Sequence, residues 1–251
     1  MASQAILLPG GVLPADLAYG SLLEALGDDV EAVAKDLEVY AEASPPPDYS
    51  LDEELDAVLE AAREAGFERF HLVGYSAGGA FSAAFASRHP ERLLSLALLE
   101  PAWLGNEDQS PEEEATWREL DRIASLPPEE LLQAIVAIQI APGVEPPLPP
   151  PGPTPPWMAS RPPGLGAFTR TVRSTTLDVD SLRRFTKPVY FALGALSNPE
   201  YHGRMAERAR SIFPDFTLDV FEERHHFDPP HRVEPERTAA ALRAHWARAE
   251  G

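Results

Sequence analysis

The pentapeptide Gly74-Tyr75-Ser76-Ala77-Gly78 joins a short apolar run, Phe70-His71-Leu72-Val73, to a stretch of small residues with helical character that begins at Gly79. A strand, a tight turn and a helix in immediate succession restrict the fold more than any other feature of the chain. The G-x-S-x-G spacing presents a serine on a strained turn, with its hydroxyl lifted clear of a sheet. The flanking glycines are required because a Cβ at either position would collide with a neighbouring strand or helix. Ser76 is therefore the candidate nucleophile.

The elements around this turn alternate. Ala5-Ile6-Leu7-Leu8 reads as a buried strand stopped by Pro9-Gly10-Gly11, and Leu17–Leu26 as a helix stopped by Gly27. Leu37–Tyr40 reads as a second strand. Ser50 with Glu53 forms a capping-box pattern ahead of an amphipathic helix carrying Leu51, Leu55, Val58 and Leu59 on one face and ending at Gly66. Leu93–Leu99 and Pro188–Leu193 are nearly uninterrupted apolar runs, as in parallel strands covered on both faces. Thr217–Phe221 alternates as an edge strand does, and Glu236–Arg248 is a closing helix with Ala240, Leu242 and Trp246 inward. The order predicts an α/β fold with a doubly wound, mostly parallel sheet.

The interval 105–180 breaks the alternation. It holds helical pieces at Pro111–Ile123 and Pro128–Ile140, then a proline tract, Pro146–Pro156, that suits a polyproline II spacer. The expectation is a helical, Pro-rich cap inserted after the Leu93–Leu99 strand, leaving 1–104 and 181–251 as the core. Trp103, Trp117, Ile135, Ile138, Trp157, Met158 and Phe168 would give the cap its own core and an apolar wall.

Composition narrows the function. A net charge of −19 argues against a nucleic-acid partner, which needs clustered Lys and Arg. The absence of cysteine excludes disulfides, thiolate catalysis and cysteine-ligated metal. The first residues carry no basic, apolar leader, and no apolar stretch approaches a membrane span, so the expectation is a cytoplasmic protein acting on a small molecule, with no membrane partner. The oligomeric state is not legible.

A serine hydroxyl needs a base, and the base needs an orienting acid. The loop between the last strand and last helix supplies His225-His226-Phe227-Asp228, with His231 further on. His226 is the first choice as base because a bulky apolar residue follows it, and His225 the alternative. A histidine-held metal is discounted, because side chains of adjacent residues in an extended segment point apart, and no cofactor is expected. The acid is open. The loop after Pro188–Leu193 reads Gly194-Ala195-Leu196-Ser197-Asn198-Pro199-Glu200, without aspartate. Glu100, directly after the Leu93–Leu99 run, is either a solvated strand end or the acid; Glu200 and Asp228 are the other choices. For an oxyanion, the Ala77 amide is one candidate donor and Gly11, in the early glycine turn, the other.

Together the Pro9-Gly10-Gly11 turn, the Gly74–Gly78 elbow, Glu100 and the late His225-His226-Phe227 resemble the α/β-hydrolase superfamily across nearly the whole chain. The resemblance implies Ser76 as nucleophile, His226 as general base and then acid, and Gly11 with Ala77 as the oxyanion hole. The chain departs from the usual pattern in having Pro9 where a histidine often stands, and in lacking aspartate at Ser197–Asn198. Some branches, including haloalkane-dehalogenase-like ones, use a carboxylate at the Glu100 position; a dehalogenase, however, needs an aspartate nucleophile where Ser76 stands. The expected activity is carboxylester-type hydrolysis of a small, fairly apolar substrate through an acyl-enzyme. The alternatives are a binding or receptor protein on this scaffold, favoured by the missing aspartate, and a cofactor-free lyase or oxygenase using the same residues.

Overall fold

A computed structural model of the chain describes residues 2–107, 109–145 and 152–251. Six strands form one sheet in the order β2-β1-β3-β4-β5-β6, every neighbouring pair parallel. They are β1 (Ser3–Leu8), β2 (Val30–Ala34), β3 (Phe70–Tyr75), β4 (Leu93–Leu99), β5 (Val189–Gly194) and β6 (Phe216–Phe221). Side chains of a strand alternate between faces, and here both faces are buried. Ile6, Leu8, Leu72, Leu96, Leu98 and Phe191 join a core with helices α2 (Leu51–Ala65) and α3 (Ala77–Arg88). Ala5, Leu7, Val73, Ala97, Leu99 and Ala192 join a second core with α1 (Ala15–Leu26) and the C-terminal helix Pro235–Glu250. Double coverage is why β3, β4 and β5 appear in the sequence as apolar runs, each fully buried large residue contributing about 1.5–3 kcal/mol.

The second strand differs from the sequence expectation. Leu37–Tyr40 is no strand: Glu38–Tyr40 is a 3-10 turn, and the strand lies earlier, at Val30–Ala34. The Glu54 carboxylate, buried under this turn, accepts the amides of Glu38 at 3.0 Å and Val39 at 2.8 Å. Those amides are satisfied without a strand partner, while Leu37 and Val39 still reach the core. The true β2 is a half-buried edge with a weak apolar signal. In the last helix Leu242 and Trp246 point inward as expected, but Ala239 is buried and Ala240 exposed.

Between β4 and β5 run α4 (Pro111–Ala124), α5 (Pro128–Gln139), α6 (Arg161–Ser174) and α7 (Val179–Arg183). The first part of the proline tract, 146–151, lies outside the described residues. Trp103, Trp117, Ile135 and Phe168 are buried in the core on the α2–α3 face, where Phe168 meets Phe81 edge-on at 5.5 Å. After β5 come α8 (Arg204–Ile212), α9 (Pro230–Val233) and α10 (Pro235–Glu250). Among the described residues no helix is long and apolar enough to cross a membrane.

The elbow sits at the centre of the sheet. Ser76 adopts φ 53°, a conformation L-residues rarely adopt, and backbone hydrogen bonds hold it there. Its amide donates to Leu99 at 3.1 Å, and its carbonyl accepts from Ala80 and Ala102. The Gly78 amide donates to Pro9 at 3.0 Å, bringing α3 so close to β1 that a Cβ on Gly78 would lie 2.5 Å from the Pro9 oxygen and 2.6 Å from the Leu8 carbonyl carbon. Both obstacles are backbone. We expect Gly78→Ala to cost about 3 kcal/mol or more in urea denaturation, and a loss below about 1 kcal/mol would mean that this approach is looser than described.

Candidate active site

Three loops at the C-terminal ends of β3, β4 and β6 converge on one imidazole. His226 is buried, with its Nδ1 2.9 Å from Glu100 Oε2 and its Nε2 3.1 Å from Ser76 Oγ. An ionised carboxylate only accepts, so Nδ1 carries the proton and Nε2 is left to accept from the Ser76 hydroxyl. Burial, with His225 acting in the same direction, holds the His226 pKa below its ordinary 6.5, so the ring is neutral at pH 7. The row can take the serine proton onto Nε2 while Glu100 balances the charge that forms.

Glu100 has the second positive φ of a non-glycine residue in the described chain, 47°. Its own amide donates to Ala192 at 3.2 Å on β5, and its Oε1 accepts the Gly194 amide at 2.8 Å, also on β5. The side chain thus leans across the end of the strand that would normally supply the acid, and reaches His226 from the neighbouring one. Gly194 makes room for this, because a Cβ there would meet the backbone of Arg224 and His225.

The other sequence candidates are elsewhere. His225 turns away from the serine: its Nδ1 accepts the amides of Phe227 at 3.2 Å and Asp228 at 3.1 Å, capping its own turn. Glu200 is exposed and pairs with Arg204 at 2.8 Å. Asp228 pairs with Arg224 at 2.7 Å, and Arg224 also holds Glu234, so these charges pin the loop that carries His226. Ala77 is buried at the first position of α3, where helix amides lack partners within the helix. The glycine turn lies against the elbow, with Gly10 nearer than Gly11. A Cβ on Gly10 would lie 3.1 Å from Ser76 Cβ, whereas one on Gly11 would face the Tyr40 hydroxyl at 2.7 Å.

Two neighbours of His226 are not evident from the motif. Tyr75 packs on the ring at 5.0 Å between centroids, and its hydroxyl donates to the His226 carbonyl. His202, from the turn after Pro199, stacks on His226 at 4.3 Å with 19° between planes. It is fully buried and, among the described residues, neither of its nitrogens has a partner. The only hint in the sequence is that the turn following Asn198 continues into Tyr201-His202. His231, in α9 beyond His226, packs on Tyr75 at 4.7 Å and Tyr19 at 5.0 Å. Glu100, His202 and His226 offer ligand atoms within 4.8 Å of one another. However, nearly parallel rings send their lone pairs into side-by-side planes, which suits stacking better than a tetrahedral metal.

The buried imidazoles make stability pH-dependent. His202 and His231 are pushed down to about 3 and His245 to about 4, each chiefly by burial. Unfolded, they take up a proton near 6.5; folded, they do not until much lower pH. The stabilising contribution is therefore complete above pH 6.5 and is lost as pH falls. By pH 5 each should cost about 1–2 kcal/mol. Urea midpoints should fall steeply between pH 7 and 5, above the range where most carboxylates titrate. A flat profile would contradict the burial of these rings.

A parallel sheet with an elbow serine after β3, a carboxylate after β4 and an imidazole after β6 defines a class of α/β proteins. Residues 6–146, more than half of the chain, match the alpha/beta hydrolase fold family, and the chain belongs to that family. It is 40% identical over 81 residues to a fluoroacetate dehalogenase of Burkholderia sp., a match covering 30% of this chain and 27% of that protein. The chain thus spans about a quarter of that curated relative's length. Among solved structures, a thermophilic esterase from Thermogutta terrifontis superposes with a TM-score of 0.71 at 19% identity, over 99% of this chain and 91% of that one. A bacterial membrane phospholipase A gives 0.70 at 23% identity, over 99% and 80%. At these identities the structural likeness shows a shared fold.

Proposed function

We propose that the protein is a serine hydrolase that cleaves an ester or related acyl bond of a small substrate through an acyl-enzyme. The observation that carries this reading is the hydrogen-bonded row from Ser76 Oγ through His226 to Glu100, with distances of 3.1 and 2.9 Å. Ser76 attacks the acyl carbon as His226 Nε2 takes the hydroxyl proton, and Glu100 stabilises the imidazolium. The amides of Ala77 and Gly11 receive the developing oxyanion. His226 returns the proton to the leaving alcohol, and water, activated by the same imidazole, releases the acid. Segment 105–180 serves as a cap over the serine, with α6 meeting the early turn through Leu165 beside Gly11 and through Arg161 on the Val12 carbonyl.

The partial match to a dehalogenase does not lead to carbon–halogen cleavage in this account. A carboxylate displacing halide forms an ester that water can cleave; a serine alkoxide doing so forms an alkyl ether, which this site has no means of hydrolysing. The binding-protein alternative is favoured by the aspartate missing at Ser197–Asn198; Glu100 at 2.9 Å from His226 supports the hydrolase reading instead. A panel of aryl esters of graded acyl length, run with Ser76→Ala as control, tests the proposal. Turnover that depends on Ser76 is expected, and turnover that survives the substitution would overturn it.

A further inference from the structure

Arg161, the first residue of α6, is only 4% exposed. Its Nε donates to the Val12 carbonyl at 2.8 Å, and its guanidinium carbon lies 4.2 Å from the centre of the Tyr40 ring and 5.3 Å from that of Trp157. Among the described residues, no carboxylate oxygen lies within 4.0 Å of the guanidinium, and its two Nη groups have no hydrogen-bond partner. Asp36 attracts the guanidinium only from beyond that distance and spends its Oδ1 on the Ala15 amide; a largely buried cation with no anion in contact is costly, and arginine cannot escape that cost by losing its proton near neutral pH. Other arginines of this strongly acidic chain find carboxylates, as Arg224 does twice.

A second unpaired group stands beside it. The Tyr40 hydroxyl is buried and, among the described residues, has no partner. It faces Gly11, whose neighbour Gly10 lies against Ser76. The position of Tyr40 is built: the Glu54 carboxylate, which also accepts the Tyr49 hydroxyl, holds the turn leading into Tyr40 through the Glu38 and Val39 amides, and Gly164 of α6 packs so close to the ring that a Cβ there would collide with it. A largely buried guanidinium with unpartnered Nη groups and a buried phenol without a partner thus stand together next to the glycine turn.

We propose that Arg161 and the Tyr40 hydroxyl hold a carboxylate of the substrate, so that the acyl bond cleaved at Ser76 belongs to a half-ester of a dicarboxylic acid or to an ester of a hydroxy-carboxylic acid. One guanidinium and one phenol match a single negative charge shared over two oxygens, with Nη donors suited to bidentate contact. In a chain of net charge −19, a lone buried cation also discriminates against neutral esters that lack the anion it needs. This inference rests on the acyl-transfer reading for its chemistry, while the anion site itself can be measured without turnover.

The test uses two matched pairs on the full chain: mono-4-nitrophenyl adipate against 4-nitrophenyl hexanoate, and 4-acetoxybenzoate against phenyl acetate. In at least one pair, Arg161→Met should lower the ratio of kcat/KM for the carboxylate ester to that for its neutral partner tenfold or more, chiefly through KM. Tyr40→Phe, which removes one oxygen, should lower the same ratio about threefold, and serves if Arg161→Met does not fold. Parallel loss on both members of each pair would reduce Arg161 to a structural residue and overturn the inference. Calorimetric titration of Ser76→Ala with adipate and with 4-hydroxybenzoate separates this inference from the hydrolase reading. Binding of either that disappears on adding Arg161→Met supports the site even if no ester turns over, and absence of binding of both counts against it.

Discussion

Ser76→Ala is expected to lower kcat for ester hydrolysis by a factor on the order of 10⁴ or more while leaving the fold intact. Alanine retains the Cβ and removes only the oxygen, so the backbone strain at φ 53° and the hydrogen bonds to Leu99, Ala80 and Ala102 are unchanged. What is lost is the atom that would form the acyl-enzyme. Residual turnover would come from the oxyanion donors and from substrate binding, which act on a water attack as well. Steady-state kinetics with a chromogenic ester, together with a denaturation curve within about 1 kcal/mol of the parent, would separate lost chemistry from lost structure.

The second large effect is expected at Glu100. Glu100→Gln keeps the size and one acceptor oxygen but removes the charge that fixes the His226 tautomer and stabilises its imidazolium. The kcat should fall on the order of a hundredfold to 10⁴-fold, with KM little changed because Glu100 faces the imidazole and Gly194 instead of substrate. Glu200→Gln should stay within about twofold, since Glu200 is an exposed partner of Arg204 and such pairs are worth little. The reverse ranking would move the acid to the loop after β5. Glu100→Gln acts directly on the 2.9 Å contact between His226 Nδ1 and Glu100 Oε2.

Much of this arrangement is legible in the sequence because it is local. β3, the elbow and α3 follow one another directly, and the double burial of β4 and β5 writes itself as apolar runs. What fails to show locally is pairing across the fold. Glu100 stays one candidate among three in the sequence, because its reach over β5 to Gly194 and His226 depends on the order in which strands neighbour each other. The pair His225–His226 separates only once the turn forms and His225 spends its Nδ1 on the amides of Phe227 and Asp228. Leu37–Tyr40 looks like a strand because its apolar residues do reach the core; a distant carboxylate, Glu54, satisfies its amides in another geometry. His202 and Arg161 are illegible for a further reason. Their interest lies in what they do not pair with, and a sequence does not display missing partners.

The central claim is that Ser76 is an activated nucleophile. Intact-mass analysis after incubation with a fluorophosphonate tests it most directly, because the reagent reports on activation without knowledge of the substrate. A single adduct is expected that maps to Ser76, is absent from Ser76→Ala and forms much more slowly in Glu100→Gln. Folded protein that stays unlabelled, or an adduct that persists in Ser76→Ala, would contradict it.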